Sequence, residues 1–340
     1  MAVRGIAASV GATVLLAVTN RVLYKLALVP MKGYPFFLAQ ATTFGYVAVY
    51  FSILFLRYRA GIVTKEMLSL PKVHFVVIGV LEALGVASGM SAGAMLPGPA
   101  IPILSQSFLV WQIIFSILFL RKSYSLNQLL GCFLVISGVI IAVTSGSDEG
   151  QFLSNVEFIW PMMMIGSSAL QAGASILKEF IFIDGERRLK GKRPDIFVVN
   201  SFGSAFQALF VFLLLPFLSN LKGIQFGDLP AYINDGASCF LNTDDQIACD
   251  GAPFLPLLFI IVNMTFNISL LNLVKMSSAL VASLTTALAV PISIYVLSLP
   301  LPYMPHGSRL STSFVLGASV LLLGLILYTL PKSAKQRKNE

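Results

Sequence analysis

Long apolar stretches separated by short polar segments make up most of the chain. A helix needs about 20 mostly apolar residues to cross the hydrocarbon of a bilayer, and ten stretches have about that length. Their apolar residues run continuously rather than alternating, which argues against the strands of a membrane barrel. The pattern therefore predicts ten transmembrane helices, at approximately residues 5–29, 35–56, 73–96, 100–120, 125–145, 157–182, 195–218, 253–274, 277–299 and 309–330.

Composition supports a membrane protein, and the distribution of charge indicates how its helices are oriented in the membrane. The chain is 56% hydrophobic and 11% charged, whereas a soluble domain carries about 25% charged residues. If both termini and the even-numbered loops share one side, eighteen of the 23 Lys and Arg residues fall there, and only Lys32, Lys222 and Arg309 fall opposite. This positive-inside asymmetry predicts that the termini face the cytosol or its equivalent. The net charge of +8 thus reflects topology, and basic residues scattered over short loops argue against nucleic acid as a partner.

The ten predicted helices divide into two halves that share a short sequence pattern. In the last helix of the first half, Leu130-Gly131 is followed by Gly138, and in the last helix of the second half, Leu316-Gly317 is followed by Gly324. Five helices per half give the halves opposite orientations, the inverted-repeat design of many carriers. The predicted fold class is an all-α membrane protein in which residues 1–150 and 151–340 form two inverted five-helix repeats, with a long non-cytosolic loop at 219–252.

Charged side chains inside the apolar stretches are the strongest candidates for function. Arg21 and Lys25 are four residues apart in the first helix and share one face, next to Asn20. A charge deep in hydrocarbon costs at least ~3 kcal/mol, so this face is predicted to line a polar cavity. In the alternative interpretation, Lys25 lies near the helix end and extends to the headgroups. Glu82, in the third helix, must be protonated or paired with Arg21, Lys25 or a transported cation.

Neutral polar side chains in other helices complete the predicted substrate-binding set. Each Asn or Gln in such a position either contacts a ligand or makes a hydrogen bond to another helix. The set comprises Asn20, Arg21, Lys25, Gln40, Glu82, Gln106, Gln171, Asn200, Asn263 and Asn267.

Two of the three cysteines lie in the long loop. Cys239 and Cys249 enclose a small loop on the non-cytosolic side, where they form either a disulfide or two free thiols. A disulfide of this size would add roughly 2–3 kcal/mol of stability. Cys132, within the fifth helix, is interpreted as a small apolar side chain.

The sequence offers no catalytic, metal or cofactor motif. His74 and His306 are far apart, Cys132 has no base near it, and neither metal-ligand spacing nor a GxxxxGK loop occurs. We therefore expect a secondary transporter rather than an enzyme. The alternatives are a carrier for amphipathic or cationic small solutes, with or without proton coupling, and a non-transporting scaffold or receptor, for which buried charges would have no use. The residues before the first helix are too few for a signal or transit peptide.

Several stretches resemble a known family. They are Thr19-Asn20-Arg21, Ser238-Cys239-Phe240-Leu241-Asn242 with Cys249-Asp250-Gly251-Ala252-Pro253, Phe259 to Met264 continuing through Leu270 to Lys275, and Phe314-Val315-Leu316-Gly317. With them the chain resembles the chloroquine-resistance-transporter-like family of the drug/metabolite transporter superfamily, and within it the plant plastid thiol transporters. The resemblance covers nearly the whole chain, and the cysteine loop is its most specific part.

The resemblance implies a ten-helix carrier of the drug/metabolite transporter fold with a Cys239–Cys249 disulfide. It also implies glutathione and γ-glutamylcysteine as candidate substrates, moved across the plastid envelope. Arg21 and Lys25 would bind the two carboxylates of such a peptide, and Glu82 would bind its amine or a coupled proton. The expected partners are thus a small-molecule substrate and the lipid bilayer, without a cofactor; a monomer is compatible with this function.

Overall fold

The structure, a computed structural model, describes residues 2–96, 101, 104, 105, 107–144, 157–220, 224–243, 249–303 and 312–329. Within these ranges the chain is helical and contains no strands. The described helices are α1 (Ala2–Ala27), α2 (Pro35–Arg59), α3 (Lys65–Leu68), α4 (Lys72–Met95), α5 (Ser107–Leu120), α6 (Leu126–Thr144), α7 (Ile159–Arg188), α8 (Ile196–Asn220), α9 (Leu229–Leu241), α10 (Phe254–Met276), α11 (Ala279–Ser298) and α12 (Thr312–Thr329).

Each predicted apolar stretch overlaps one of these helices, and six described helices are long and apolar enough to cross a membrane. The six are α1 from Ala8 onward, α2, α4, α8 up to Pro216, α10 and α11, whereas the apolar parts of α5, α6 and α12 are shorter. These helices make the chain an all-α, multi-pass membrane protein. The sequence pattern did not predict the one-turn helix α3 or helix α9, which lies within the long loop.

Local sequence signals fix several helix ends. Ser125 and Gln128 form a reciprocal capping box at the start of α6, because the Gln128 amide donates to Ser125 Oγ (3.3 Å) and the Ser125 amide donates to Gln128 Oε1 (2.9 Å). The Ser278 side chain accepts the Val281 amide at the start of α11, and Pro35 occupies the first turn of α2, where its missing N–H costs nothing.

The exterior of the molecule is much more apolar than that of a soluble protein, and the interior combines apolar clusters with buried polar side chains. Large apolar side chains such as Leu15, Val73 and Phe119 are about two-thirds exposed, whereas Thr13 and Gln112 are fully buried. Exposed apolar surface on this scale is stable in hydrocarbon and would cause association in water. The exterior therefore suits lipid, and the polar groups are collected inside the helix bundle.

Helices α6 and α12 pack at a glycine crossing. A Cβ on Gly131 would lie 2.7 Å from the Gly324 carbonyl oxygen, and a Cβ on Gly324 would lie 2.6 Å from the Gly131 carbonyl oxygen. A Cβ on Gly138 would lie 2.6 Å from the carbonyl oxygen of Gly317. The glycines that repeat between the two sequence halves therefore contact each other, and they allow the two backbones to approach closely.

Helix α9 and its disulfide cover one end of the bundle. The Tyr232 ring packs 5.4 Å from that of Tyr34, and Gly236 lies against Phe37. Burial, with the charge of Asp235, raises the pKa of Tyr34 above its ordinary value. A disulfide joins Cys239 at the end of α9 to Cys249 just before α10, with an S–S distance of 2.01 Å.

Ion pairs cluster at the helix ends that are predicted to be cytosolic. Arg57 at the end of α2 pairs with Asp195 before α8 at 2.6 Å, and Lys122 after α5 pairs with Glu179 of α7. The second carboxylate oxygen of Glu179 accepts the Ala279 amide at 3.2 Å. Glu179 therefore ties three segments together at this end of the molecule.

Candidate functional site

Two neighbouring chambers lie between the helices. The Arg21 chamber, of about 310 Å³, is lined by Arg21 and Lys25 among others, and the Glu82 chamber, of about 270 Å³, contains Glu82 and Lys178. Asn20, Gln171 and Asn263 are among the residues that line both. Because they share these lining residues, the two chambers are direct neighbours, and we refer to them together as the cavity.

Helix α1 supplies the polar wall of the Arg21 chamber. The Tyr24 hydroxyl donates to the Gly89 carbonyl at 3.1 Å, and the Lys25 ammonium donates to the Leu96 carbonyl at 3.2 Å. Both bonds hold α1 against α4. The buried Nη1 of Arg21 has no hydrogen-bond partner within the described residues, so this guanidinium nitrogen is a donor available to a ligand.

Small residues allow the helices to approach each other around this chamber. A Cβ on Gly89 would lie 2.7 Å from Ser167 Oγ, and a Cβ on Gly93 would lie 2.4 Å from the Tyr24 hydroxyl. Ser167 donates to the Gly85 carbonyl at 2.7 Å, and Gln171 Nε2 donates to Ser167 Oγ at 2.9 Å. Gln171, a predicted site residue, therefore lines the cavity while it is hydrogen-bonded to its own helix.

The partner of Glu82 differs from the prediction. Neither Arg21 nor Lys25 pairs with this carboxylate, and Lys178 of α7 does, with Nζ 2.5 Å from Oε1 and each side chain 18% exposed. The charge pattern groups Lys178 with the cytosolic residues, but α7 continues as a helix to Arg188 and holds Lys178 inside the bundle. The prediction was wrong because it counted Lys178 with the cytosolic residues, although Lys178 lies within the predicted helix 157–182.

A cluster of amides joins three helices at the boundary between the chambers. Asn263 Nδ2 donates to Asn20 Oδ1 at 2.8 Å, and Asn263 Oδ1 accepts from the Tyr46 hydroxyl and from Asn267 Nδ2, the latter at 2.8 Å. The cluster connects α1, α2 and α10. These predicted site residues do face the cavity, and their hydrogen bonds also hold the helices together.

The remaining predicted residues have different positions. Gln40 lines neither chamber as described, and its Nε2 donates to the Ala208 carbonyl at 3.4 Å, which connects α2 to α8. Its role in substrate binding stays a prediction. Gln106 lies outside the described residues. Asn200 lines the Glu82 chamber, is 6% exposed, and has an Nδ2 without a partner among the described residues.

Sequence reasoning missed several residues of the cavity wall. Tyr24, Tyr46, Ser167 and Lys178 all line it. A signal was available in α7, where Ser167, Gln171, Ser175 and Lys178 follow each other at intervals of four, four and three residues. That spacing places them on one helical face. Tyr24 lies between Arg21 and Lys25 in the sequence, and a large aromatic residue in an apolar helix is normally interpreted as a packing residue.

A positively charged cavity enclosed by long apolar helices is the architecture of a membrane transporter. The chain matches the family model described as CRT-like, chloroquine-resistance transporter-like, over residues 6–328, and it belongs to that family. It is 63% identical over 319 residues to Protein CLT2, chloroplastic, of Arabidopsis thaliana, covering 94% of this chain and 74% of that protein. Protein CLT1, chloroplastic, of the same plant is 56% identical, covering 93% and 71%.

More distant relatives agree with this assignment. Crt homolog 2 of Dictyostelium discoideum is 25% identical over 96% of this chain and 72% of that protein. A solved crystal structure superposes with a TM-score of 0.51 at 16% identity, covering 97% of this chain and 99% of the other, and it shows the fold alone. Together with the chloroplastic relatives, the apolar helices identify a multi-pass membrane transporter of the chloroplast.

Proposed function

We propose that the chain is a secondary carrier, without enzymatic activity, that moves small anionic thiol peptides across the plastid envelope by alternating access. Glutathione and γ-glutamylcysteine are the proposed substrates. The observation that carries the proposal is the buried guanidinium of Arg21, which faces the cavity with an unpartnered Nη1 beside the ammonium of Lys25.

The charge balance of the cavity supports an anionic substrate. Among the described lining residues, the charged side chains are Arg21, Lys25, Glu82 and Lys178, and the Glu82 carboxylate is neutralised by Lys178. Arg21 and Lys25 have no carboxylate partner among the described residues. A ligand carboxylate would offer Arg21 a bidentate, charge-assisted hydrogen bond, which is stronger than a neutral one. The chambers, of about 310 and 270 Å³, also suit a small solute.

We further propose that ten helices in two inverted repeats, residues 1–150 and 151–340, form this carrier. Two features support the repeat. The glycine contacts between α6 and α12 are reciprocal. In addition, α1 packs against α10 and α11 while α7 packs against α4 and α5, which are the equivalent helices of the other half. A cavity between two such halves can open to either side in turn.

The proposal is tested with the purified protein in lipid vesicles. We expect saturable uptake of labelled glutathione, inhibited by unlabelled γ-glutamylcysteine, with protein-free vesicles as the control. Uptake measured with and without a pH gradient shows whether protons are coupled. If vesicles containing the protein take up an organic cation and no glutathione under either condition, the substrate proposal is wrong and the carrier belongs to the alternative class for cationic solutes.

A further inference from the structure

We propose that the Glu82 chamber binds the α-amino acid head of the substrate by exchange with its ion pair. In the bound state the substrate ammonium replaces Lys178 at the Glu82 carboxylate, and the substrate α-carboxylate replaces Glu82 at the Lys178 ammonium. This inference rests on the proposed function, because it assigns one end of a γ-glutamyl peptide to this chamber.

The ion pair is placed where a solute can reach it. Glu82 and Lys178 come from different helices, α4 and α7, and both side chains remain 18% exposed to the cavity. Neither takes part in another ion pair with the described residues. By contrast, Glu179, the next residue of α7, is held by Lys122 and by the Ala279 amide and lines neither chamber as described. The Glu82–Lys178 pair is therefore the one that a ligand can open.

A third group in the same chamber matches a carboxylate. Asn200 of α8 is 6% exposed, and its Nδ2 lacks a hydrogen-bond partner among the described residues. A buried amide donor without an acceptor is costly. A substrate carboxylate at Lys178 would supply that acceptor, so binding would satisfy a group that the empty chamber leaves unsatisfied.

The charges also balance. The Glu82–Lys178 pair is neutral as a whole, and so is the ammonium-plus-carboxylate head of an amino acid. Exchange therefore conserves the net charge of the chamber, and each separated ion keeps an opposite partner in a region of low dielectric constant. The second carboxylate of the peptide remains for Arg21 and Lys25 in the neighbouring Arg21 chamber.

The first test uses the wild-type protein and needs no variant. Uptake of labelled glutathione is measured in competition with two analogues that keep the cysteinyl-glycine end. Glutaryl-cysteinyl-glycine lacks the α-amino group, and γ-aminobutyryl-cysteinyl-glycine lacks the α-carboxylate. Each analogue loses one charge-assisted contact, so we expect each to compete at least about tenfold less well than glutathione.

The second test removes the pair as a unit. In Glu82→Gln/Lys178→Met no unpaired charge is left behind, and we expect glutathione and both analogues to compete within about threefold of each other. The matched control is Asp184→Asn/Arg188→Met, which removes an ion pair of 2.6 Å from the same helix outside both chambers. The control is expected to keep the wild-type preference for glutathione.

The outcomes separate the two proposals. Equal competition by all three peptides in the wild type, with glutathione still transported, overturns the amino-acid chamber and leaves the carrier function intact. A preference that persists in the double variant also overturns the chamber. If the wild type shows no glutathione uptake, both proposals are wrong.

Discussion

At the scale of single residues, Arg21 has the most to gain from a ligand. Its neighbour Lys25 already donates to a backbone carbonyl, whereas the Arg21 Nη1 has no acceptor among the described residues. The interpretation in which Arg21 is only a structural partner of Glu82 does not hold, since Glu82 pairs with Lys178. Arg21 is therefore the residue whose substitution most directly tests the sign of the transported charge.

We expect Arg21→Met to weaken glutathione affinity by about 2–3 kcal/mol, or roughly a hundredfold, because a buried charge-assisted hydrogen bond is lost. Arg21→Lys should keep part of the affinity, because the charge stays while the planar fork is lost. Removal of the positive barrier should also increase the uptake of a weakly basic organic cation. Uptake of both solutes is measured for each variant at matched protein level.

The control for Arg21 is Arg187→Met, which removes an exposed cation of α7 and lies outside both chambers as described. This variant should transport like the wild type. Unchanged glutathione affinity in a well-folded Arg21→Met protein would mean that Arg21 does not contact the substrate.

The sequence predicted cavity-lining residues most directly where their chemistry left few alternatives. A guanidinium or a carboxylate in an apolar helix needs a polar environment, and Arg21, Lys25 and Glu82 all line the cavity. An amide is cheaper to bury, and Gln40 donates its Nε2 to a backbone carbonyl of α8 and lines neither chamber as described. The partner of Glu82 was beyond prediction because it depends on how α4 and α7 pack.

At the scale of helices, hydrophobicity alone located the apolar elements within a few residues. This works because a lipid-facing helix satisfies its backbone hydrogen bonds internally and exposes apolar side chains along its length. The signal is therefore local in the sequence. Helix α9 was missed because it is short and lies in a loop rich in acidic and turn residues. Its packing on Tyr34 and Phe37 of another segment stabilises it, and a single sequence does not contain that information.

The crossing of α6 and α12 gives a prediction at this scale. Gly138→Ala would place a Cβ 2.4 Å from the Leu321 amide nitrogen, so we expect the helices to separate and the thermal stability to fall. Gly166→Ala is the matched control, since a Cβ there meets no atom within 4 Å. It should be neutral, or stabilising by up to ~1 kcal/mol through helix propensity. Thermal unfolding in detergent compares the two, and equal melting temperatures would contradict the close crossing.

At the scale of the whole molecule, ion pairs lie at the same end as most of the basic residues. The pairs Arg57–Asp195, Lys122–Glu179 and Arg193–Glu186 all lie in segments that the positive-inside pattern places on the side of the termini. Helix α9 and the disulfide belong to the predicted opposite side. The inverted-repeat proposal requires that these two ends face different compartments.

Labelling from one side of the membrane tests this requirement. We expect an impermeant thiol reagent to modify Lys190→Cys and Asn234→Cys from opposite faces, because one follows α7 and the other lies in α9. Both native residues are exposed. The native cysteines contribute no background, since Cys132 is buried and the other two are bonded. Modification of both positions from the same face would exclude the proposed topology.

The burial of the disulfide has a consequence for a carrier of thiols. Thiol–disulfide exchange requires a thiolate to approach one sulfur along the axis of the S–S bond. Cys239 and Cys249 are only 1% and 3% exposed, and Cys239 Sγ lies 3.7 Å from Met31 Sδ. Among the described residues, neither sulfur is open to a glutathione thiolate that arrives at this end of the molecule. The fold therefore gives this bond kinetic resistance to reduction by the cargo that the protein is proposed to carry.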